Sequence, residues 1–222
     1  MPISKVLIGV ICTGLLVACG GRTDTTAKRL DIAKVFTLKS TFGPDFHIRT
    51  IGPSGIDPKL LRSLVPSGVT ADPAECQKHV SGQTLPPDLT GNMAVISADG
   101  QGDLFIVTAI ESSGPLPHDS TVPEKCHHVT FSGNVSGNDI SGTADIVDAP
   151  KIDGAQTAGT HLTSTIAGFP HPTELYLYSA SLGNYLVEVT AGPLFVPNQP
   201  VAPIDTDRAQ RLLTDAVAAI RS

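Results

Sequence analysis

The spacing of hydrophobic positions changes from helical to extended along the chain, and back to helical at its end. Ile32, Val35, Phe36 and Leu38 fall on one approximate face between Asp31 and Thr41, which predicts a helix stopped by Gly43-Pro44. FHIRTIG (46–52) then alternates as a strand. Asp57-Pro58 and Asp72-Pro73 each put a capping residue before a proline at the first helical position. They predict short helices through Leu60, Leu61 and Leu64 and through AECQKHV (74–80), the second carrying Cys76 in its first turns.

From residue 93 the period is that of strands. MAVISA and LFIVTAI flank DGQGD, a strong hairpin signal. CHHVTFSGNV pairs with DISGTADIVDA, and AQTAGTHLTSTIA follows as a long Thr-rich strand. The clearest hairpin is ELYLYSASLGNYLVEVTA, turning at Gly183-Asn184. Setting Leu182 opposite Tyr185 pairs Tyr178 with Val189 and Ala180 with Val187, so all three tyrosines share one face. After the Pro-rich crossing GPLFVPNQPVAP, a final helix capped by Asp205 or Thr206 places Leu212, Leu213, Ala216, Val217 and Ile220 on one side, to lie across the sheet. The expected fold is one α+β domain over 31–222, an antiparallel sheet packed by a C-terminal helix and short N-terminal helices.

The first 18 residues read differently. Lys5 precedes an apolar run from Val6 to Ala18, roughly 20 Å as a helix against a bilayer core of about 30 Å. This is a leader, too short to span a membrane comfortably. It ends in LLVACGG (15–21), where Leu16, Val17 and Ala18 before Cys19 resemble the bacterial lipobox. That resemblance implies diacylglyceryl transfer to the Cys19 thiol and removal of residues 1–18. Two acyl chains hold a protein on a membrane durably where one is marginal. GGRTDTTAK (20–28) has no hydrophobic period, and residues 19–30 are read as the lipidated Cys and a flexible tether.

Composition narrows the function classes. Charged residues are 16% and apolar residues 41%, which is not a disordered composition, and Gly and Pro are abundant enough for a turn-rich sheet protein. The formal charge is −6, and the leader carries one of the 15 basic residues and no acidic one. Nucleic acid is therefore excluded as a partner, and membrane contact is left to the lipid anchor. With Cys12 lost in the leader and Cys19 lipidated, Cys76 and Cys126 remain, an even pair read as a disulfide in an exported protein. Two separate buried thiols are the alternative.

DPAEC (72–76), VDAPKIDGAQTAGT (147–160), YLYSASLGNYLVEVT (176–190) and the closing RAQRLLTDAVAAIRS resemble an uncharacterised family of mycobacterial lipoproteins, a domain of unknown function. The resemblance covers nearly the whole domain. It implies a lipobox, a tether, two cysteines at the positions of Cys76 and Cys126, an actinobacterial envelope, and no assigned catalytic residues.

The search for chemistry is otherwise poor. There is no nucleophile elbow, phosphate loop, dinucleotide fingerprint or zinc-protease motif. Ser54, between Pro53 and Gly55, reads as a loop residue. His118, His127, His128, His161 and His171 invite a metal, but His127 and His128 as strand neighbours point to opposite faces, and no carboxylate stands at ligand spacing. Asp145, Asp148 and Asp153 read as turn formers, and the tyrosine face as packing under the terminal helix. No catalytic residue, metal ligand or cofactor is expected. The chain is expected to be a binding or interaction module on the outer face of the cell membrane, with an envelope lipid, glycan or protein as partner. The alternative is a hydrolase of envelope glycans or esters.

Overall fold

The computed structural model describes residues 29–57, 68–80, 89–116, 122–169, 171–195 and 201–222. The expected leader, Cys19, the tether to residue 28, and the helix through Leu60, Leu61 and Leu64 lie outside the described residues.

The strands are β1 (His47–Gly55), β2 (Val69–Asp72), β3 (Gly91–Gly100), β4 (Asp103–Ser112), β5 (His128–Val135), β6 (Asn138–Val147), β7 (Gln156–Ile166), β8 (Thr173–Leu182) and β9 (Tyr185–Pro193). They form one antiparallel sheet in the order β1-β3-β4-β9-β8-β7-β6-β5-β2. Consecutive strands β1 and β2 are thus its two opposite edges. The described residues are mostly sheet, with one long helix and a few short ones, so the α+β label fits only roughly. The hairpins fall where alternation and turn residues put them. Tyr178 is opposite Val189 and Ala180 opposite Val187, as the Gly183-Asn184 turn requires.

The sheet is buried unequally. Over β3, β4, β9 and β8, side chains such as Ile96, Phe105, Val187, Val189 and Tyr178 pack under two helices, which define one face of the sheet. The C-terminal helix, Thr206–Arg221, is capped by the Asp205 carboxylate accepting from the Arg208 amide at 2.9 Å. It buries Leu212, Leu213, Ala216, Val217 and Ile220, the predicted stripe. Arg208 lays its guanidinium 4.9 Å from the Phe46 ring centre, tying this helix to the start of β1.

The N-terminal helix, Ile32–Thr41, is a 3₁₀ helix. Its buried residues Ile32, Val35 and Leu38 recur every three positions, the 3₁₀ period, while Phe36 is only partly buried. Hydroxyls of Thr37, Ser40 and Thr41 donate to carbonyls three residues back, at 2.8–2.9 Å, and reinforce the tighter winding. Its start is tied to the end of the C-terminal helix, where the Asp31 amide donates to the Ile220 carbonyl at 2.9 Å.

Two apolar clusters occupy the second face of the sheet. One gathers Met93, Val95, Ile110 and Leu186. The other gathers Val129, Phe131, Ile140, Ala144 and Leu162 around Cys76 and Cys126, which form a disulfide. Each cysteine lies four residues beyond the β2–β5 pair Asp72 and Thr130, so the bridge continues that ladder. Lys125 and Glu75, 2.9 Å apart, cross the same clasp.

Asp72 is not a helix cap. Pairing with β5 claims it as the end of β2, and the expected short helix over 74–80 starts behind Pro73 without a side-chain cap, as a 3₁₀ turn Ala74–Cys76 continued by an α-turn Gln77–Val80. Gln77 follows the 3₁₀ turn and protects the β2 edge, accepting from the Ala71 amide at 2.7 Å and donating to the Val69 carbonyl at 3.0 Å.

Candidate functional site

The helices do not reach the far end of the face they cover. On β5, β6 and β7 the buried side chains turn to the second face, which leaves the helix-side face open and polar. Antiparallel register arranges this open half in rungs, one residue per strand. Asp72, Thr130, Thr143, Thr163 and Glu174 stand opposite one another across β2, β5, β6, β7 and β8. On one side is the rung His128, Asp145, His161 and Tyr176. On the other is Thr70, Ser132, Ser141 and Thr165. None of these residues is Lys, Arg or aliphatic.

The side chains interlock. His128 Nδ1 lies 2.5 Å from Asp145 Oδ1, and Thr143 Oγ1 donates to Asp145 Oδ2 at 3.2 Å. Because the single Thr143 proton goes to that carboxylate, the Thr163 hydroxyl donates to Thr143 across their 2.8 Å contact. His161 Nε2 is 2.8 Å from Glu174 Oε1, and an ionised carboxylate only accepts, so Nε2 carries the proton. Tyr176 also donates to Glu174 Oε1, at 3.4 Å, and its ring stacks on His161 with centres 4.3 Å apart. Burial raises the Tyr176 pKa, and the Glu174 charge raises it further. Tyr178, one rung inward, is bonded through its hydroxyl to Gln210 of the C-terminal helix and marks where the cover begins. Beside the network, Thr70, Asp72, Thr130, Ser132, Ser141 and Thr143, with Ala71, Phe131 and Gly142 between them, line a shallow depression of about 430 Å³.

The residues singled out in the sequence divide clearly. His128, Asp145 and His161 come together on adjacent strands. His127 does not join them: it precedes β5, in the turn after Cys126, with Nε2 3.2 Å from the Val122 carbonyl. Its separation from His128 therefore comes from the turn and not from strand alternation. His171 lies between β7 and β8, and His118 lies outside the described residues. Asp148 and Asp153 offer backbone carbonyls to Gln210 and Arg221 of the C-terminal helix, away from Asp145. Ser54 is not in a loop but in β1, opposite Met93, just past a bulge at Gly52-Pro53. Among the described residues, no group of three His, Cys, Asp or Glu side chains is placed to hold a metal ion. Tyr178 is buried under the helix as expected, whereas Tyr185 reaches out to Glu111, which also pairs with Arg29 at 2.8 Å. Residues 29 and 30, the end of the expected tether, thus already touch the folded body.

Sequence reasoning missed Glu174 and the threonine rungs. Their signal was present in the alternate positions of THLTST and of ELYLY, but alternation alone does not say which face stays bare.

Solved structures align with the chain. It is similar to an uncharacterised Mycobacterium smegmatis protein, the Rv0999 ortholog, with TM-score 0.79 and 46% identity over 88% of this chain and 99% of that one. The extracellular domain of PknH from Mycobacterium tuberculosis aligns with TM-score 0.39 and 15% identity over 85% and 92% of the two chains. No curated protein matches the chain. The model of a domain of unknown function, DUF5642, matches residues 31–221, from the first residue before the 3₁₀ helix to the last of the C-terminal helix, and the chain belongs to that family.

Proposed function

We propose that the chain is an exported lipoprotein, anchored through a diacylglyceryl group on Cys19 at the outer face of the cell membrane. Its domain binds a ligand or partner through the open half of the helix-side face. The observation that carries this reading is the unequal cover of a single sheet. One half of the face is sealed by two helices, and the other presents three rungs of hydroxyl, imidazole and carboxylate groups to solvent, two of them interlocked by side-chain hydrogen bonds. Export is supported by the leader and by the Cys76–Cys126 disulfide, which persists in oxidising compartments. Binding is favoured over hydrolysis because Asp145 is held by His128 and Thr143, and Glu174 by His161 and Tyr176, an arrangement that orders a surface.

The test is complementation of a deletion strain. Cys19→Ala should move the protein from the membrane to the soluble exported fraction. Thr130→Arg, which sets a bulky cation on an exposed rung position, should fold and stay anchored yet fail to complement. Full complementation by Thr130→Arg would overturn the assignment of the face. Hydrolysis of an envelope glycan or ester by the wild type, lost in Asp145→Asn, would establish the hydrolase reading instead.

A further inference from the structure

We infer that the open half-face takes a neutral, polyhydroxylated ligand, a glycan chain, and this inference rests on the reading that this face is the binding surface. The chemistry of the rungs excludes the other ligand classes in turn. An acyl chain meets no aliphatic side chain on the three rungs and would strip water from their hydroxyls without replacing the hydrogen bonds. An anionic headgroup or acidic glycan meets Asp72, Asp145 and Glu174 with no Lys or Arg on the three rungs. A basic peptide finds Asp145 already held by His128 and Thr143, and Glu174 by His161 and Tyr176. It also lacks the buried aromatic or Arg anchors that centre protein interfaces, since the Tyr176 ring is spent on His161.

What the face offers matches sugar hydroxyls. Ser and Thr hydroxyls donate one hydrogen bond and accept two, as sugar hydroxyls do. A carboxylate has about four acceptor positions, so Asp145 and Glu174 keep spare ones for adjacent O–H groups. Thr130, Thr143 and Thr163 repeat from strand to strand at about 4.8 Å, close to the length of one sugar residue in a chain. The depression beside them is shallow and about 430 Å³, room for one or two sugars laid flat on the sheet.

The test is an NMR titration of the full chain carrying Cys19→Ala, with its disulfide formed. The probes are neutral hexose and pentose oligosaccharides, an acidic oligosaccharide, a Lys-rich peptide and anionic phospholipid vesicles. Neutral oligosaccharides should shift the amides around Thr130, Thr143 and Thr163. Thr130→Arg and the near-isosteric Thr143→Val should each bind at least about tenfold more weakly while melting like the parent. No shifts with any neutral oligosaccharide, shifts on this face only with a charged probe, or unchanged affinity in both variants would overturn the inference. If Thr130→Arg fails to complement while neutral oligosaccharides leave the face unmoved, the glycan inference falls and the binding face stands. If Thr130→Arg complements fully, the binding face itself falls.

Discussion

Replacing Glu188 with Gln should stabilise the protein at pH 8 and change its stability far less at pH 5. Glu188 lies on β9, on the second face, directly between Thr108 of β4 and Ser179 of β8. Desolvation there pushes its pKa from 4.5 up to about 7. The folded state therefore holds the proton over a range in which the unfolded chain has released it. Below about pH 4.5 both states are protonated and no penalty exists. Between pH 4.5 and 7 stability falls as pH rises, and above 7 the full penalty stands. At 1.36 kcal/mol per pH unit the ceiling is about 3 kcal/mol. The side chain is only half-buried, and its remaining contact with water reduces the expected value to about 2 kcal/mol, or roughly 4–8 °C in melting temperature for a domain of this size. The assay is thermal unfolding of the wild type and Glu188→Gln from pH 5 to 8. The gap should open with pH and level off above 7. A gap of constant size would mean that the amide merely packs differently, and a gap closing with rising pH would refute the sign of the argument.

Two further outcomes follow from the packing. Replacing Cys76 and Cys126 together with Ala should cost about 4 kcal/mol on the chain-entropy account of a 50-residue loop, read as a lower denaturant midpoint, and an unchanged midpoint would show the clasp to be dispensable. Truncation after Pro203 removes Leu212, Leu213, Val217 and Ile220, all nearly inaccessible, at about 1.5–3 kcal/mol each. The sum rivals the whole stability of a typical domain, about 5–15 kcal/mol, so the truncated chain should lose its cooperative melt, and a wild-type melt would make the helix peripheral.

Local signals carried much of the fold. The β8–β9 register was legible because a Gly-Asn turn and strict alternation leave one way to close the hairpin. The C-terminal helix was legible because cap and stripe agree. The N-terminal helix was located correctly, but its three-residue period was read as a helical face in general. The short helix over 74–80 was legible behind Asp72-Pro73, but only the long-range pairing of β2 with β5 makes Asp72 a strand end and not its cap. A domain of unknown function with a mycobacterial relative, too, was legible in motifs spread over the domain.

The candidate site was hidden for a different reason. His128 and Asp145 are 17 residues apart and meet only through the β5–β6 register, and Asp145 meets His161 only through β6–β7. Alternation on β8 and β9 looks the same as alternation on β5 to β7. What separates a core face from a bare one is where the two helices stop, and that is set by packing against β3, β4, β8 and β9.

The most direct measurement is photo-crosslinking in intact cells. A photoreactive residue is placed at Thr130 or Thr165 on the open half-face, with a control at Arg49 on the exposed edge strand β1. If the open half-face is the working surface, positions 130 and 165 should capture one discrete envelope component that position 49 does not. Equal capture from all three positions, or capture from position 49 alone, would contradict the assignment.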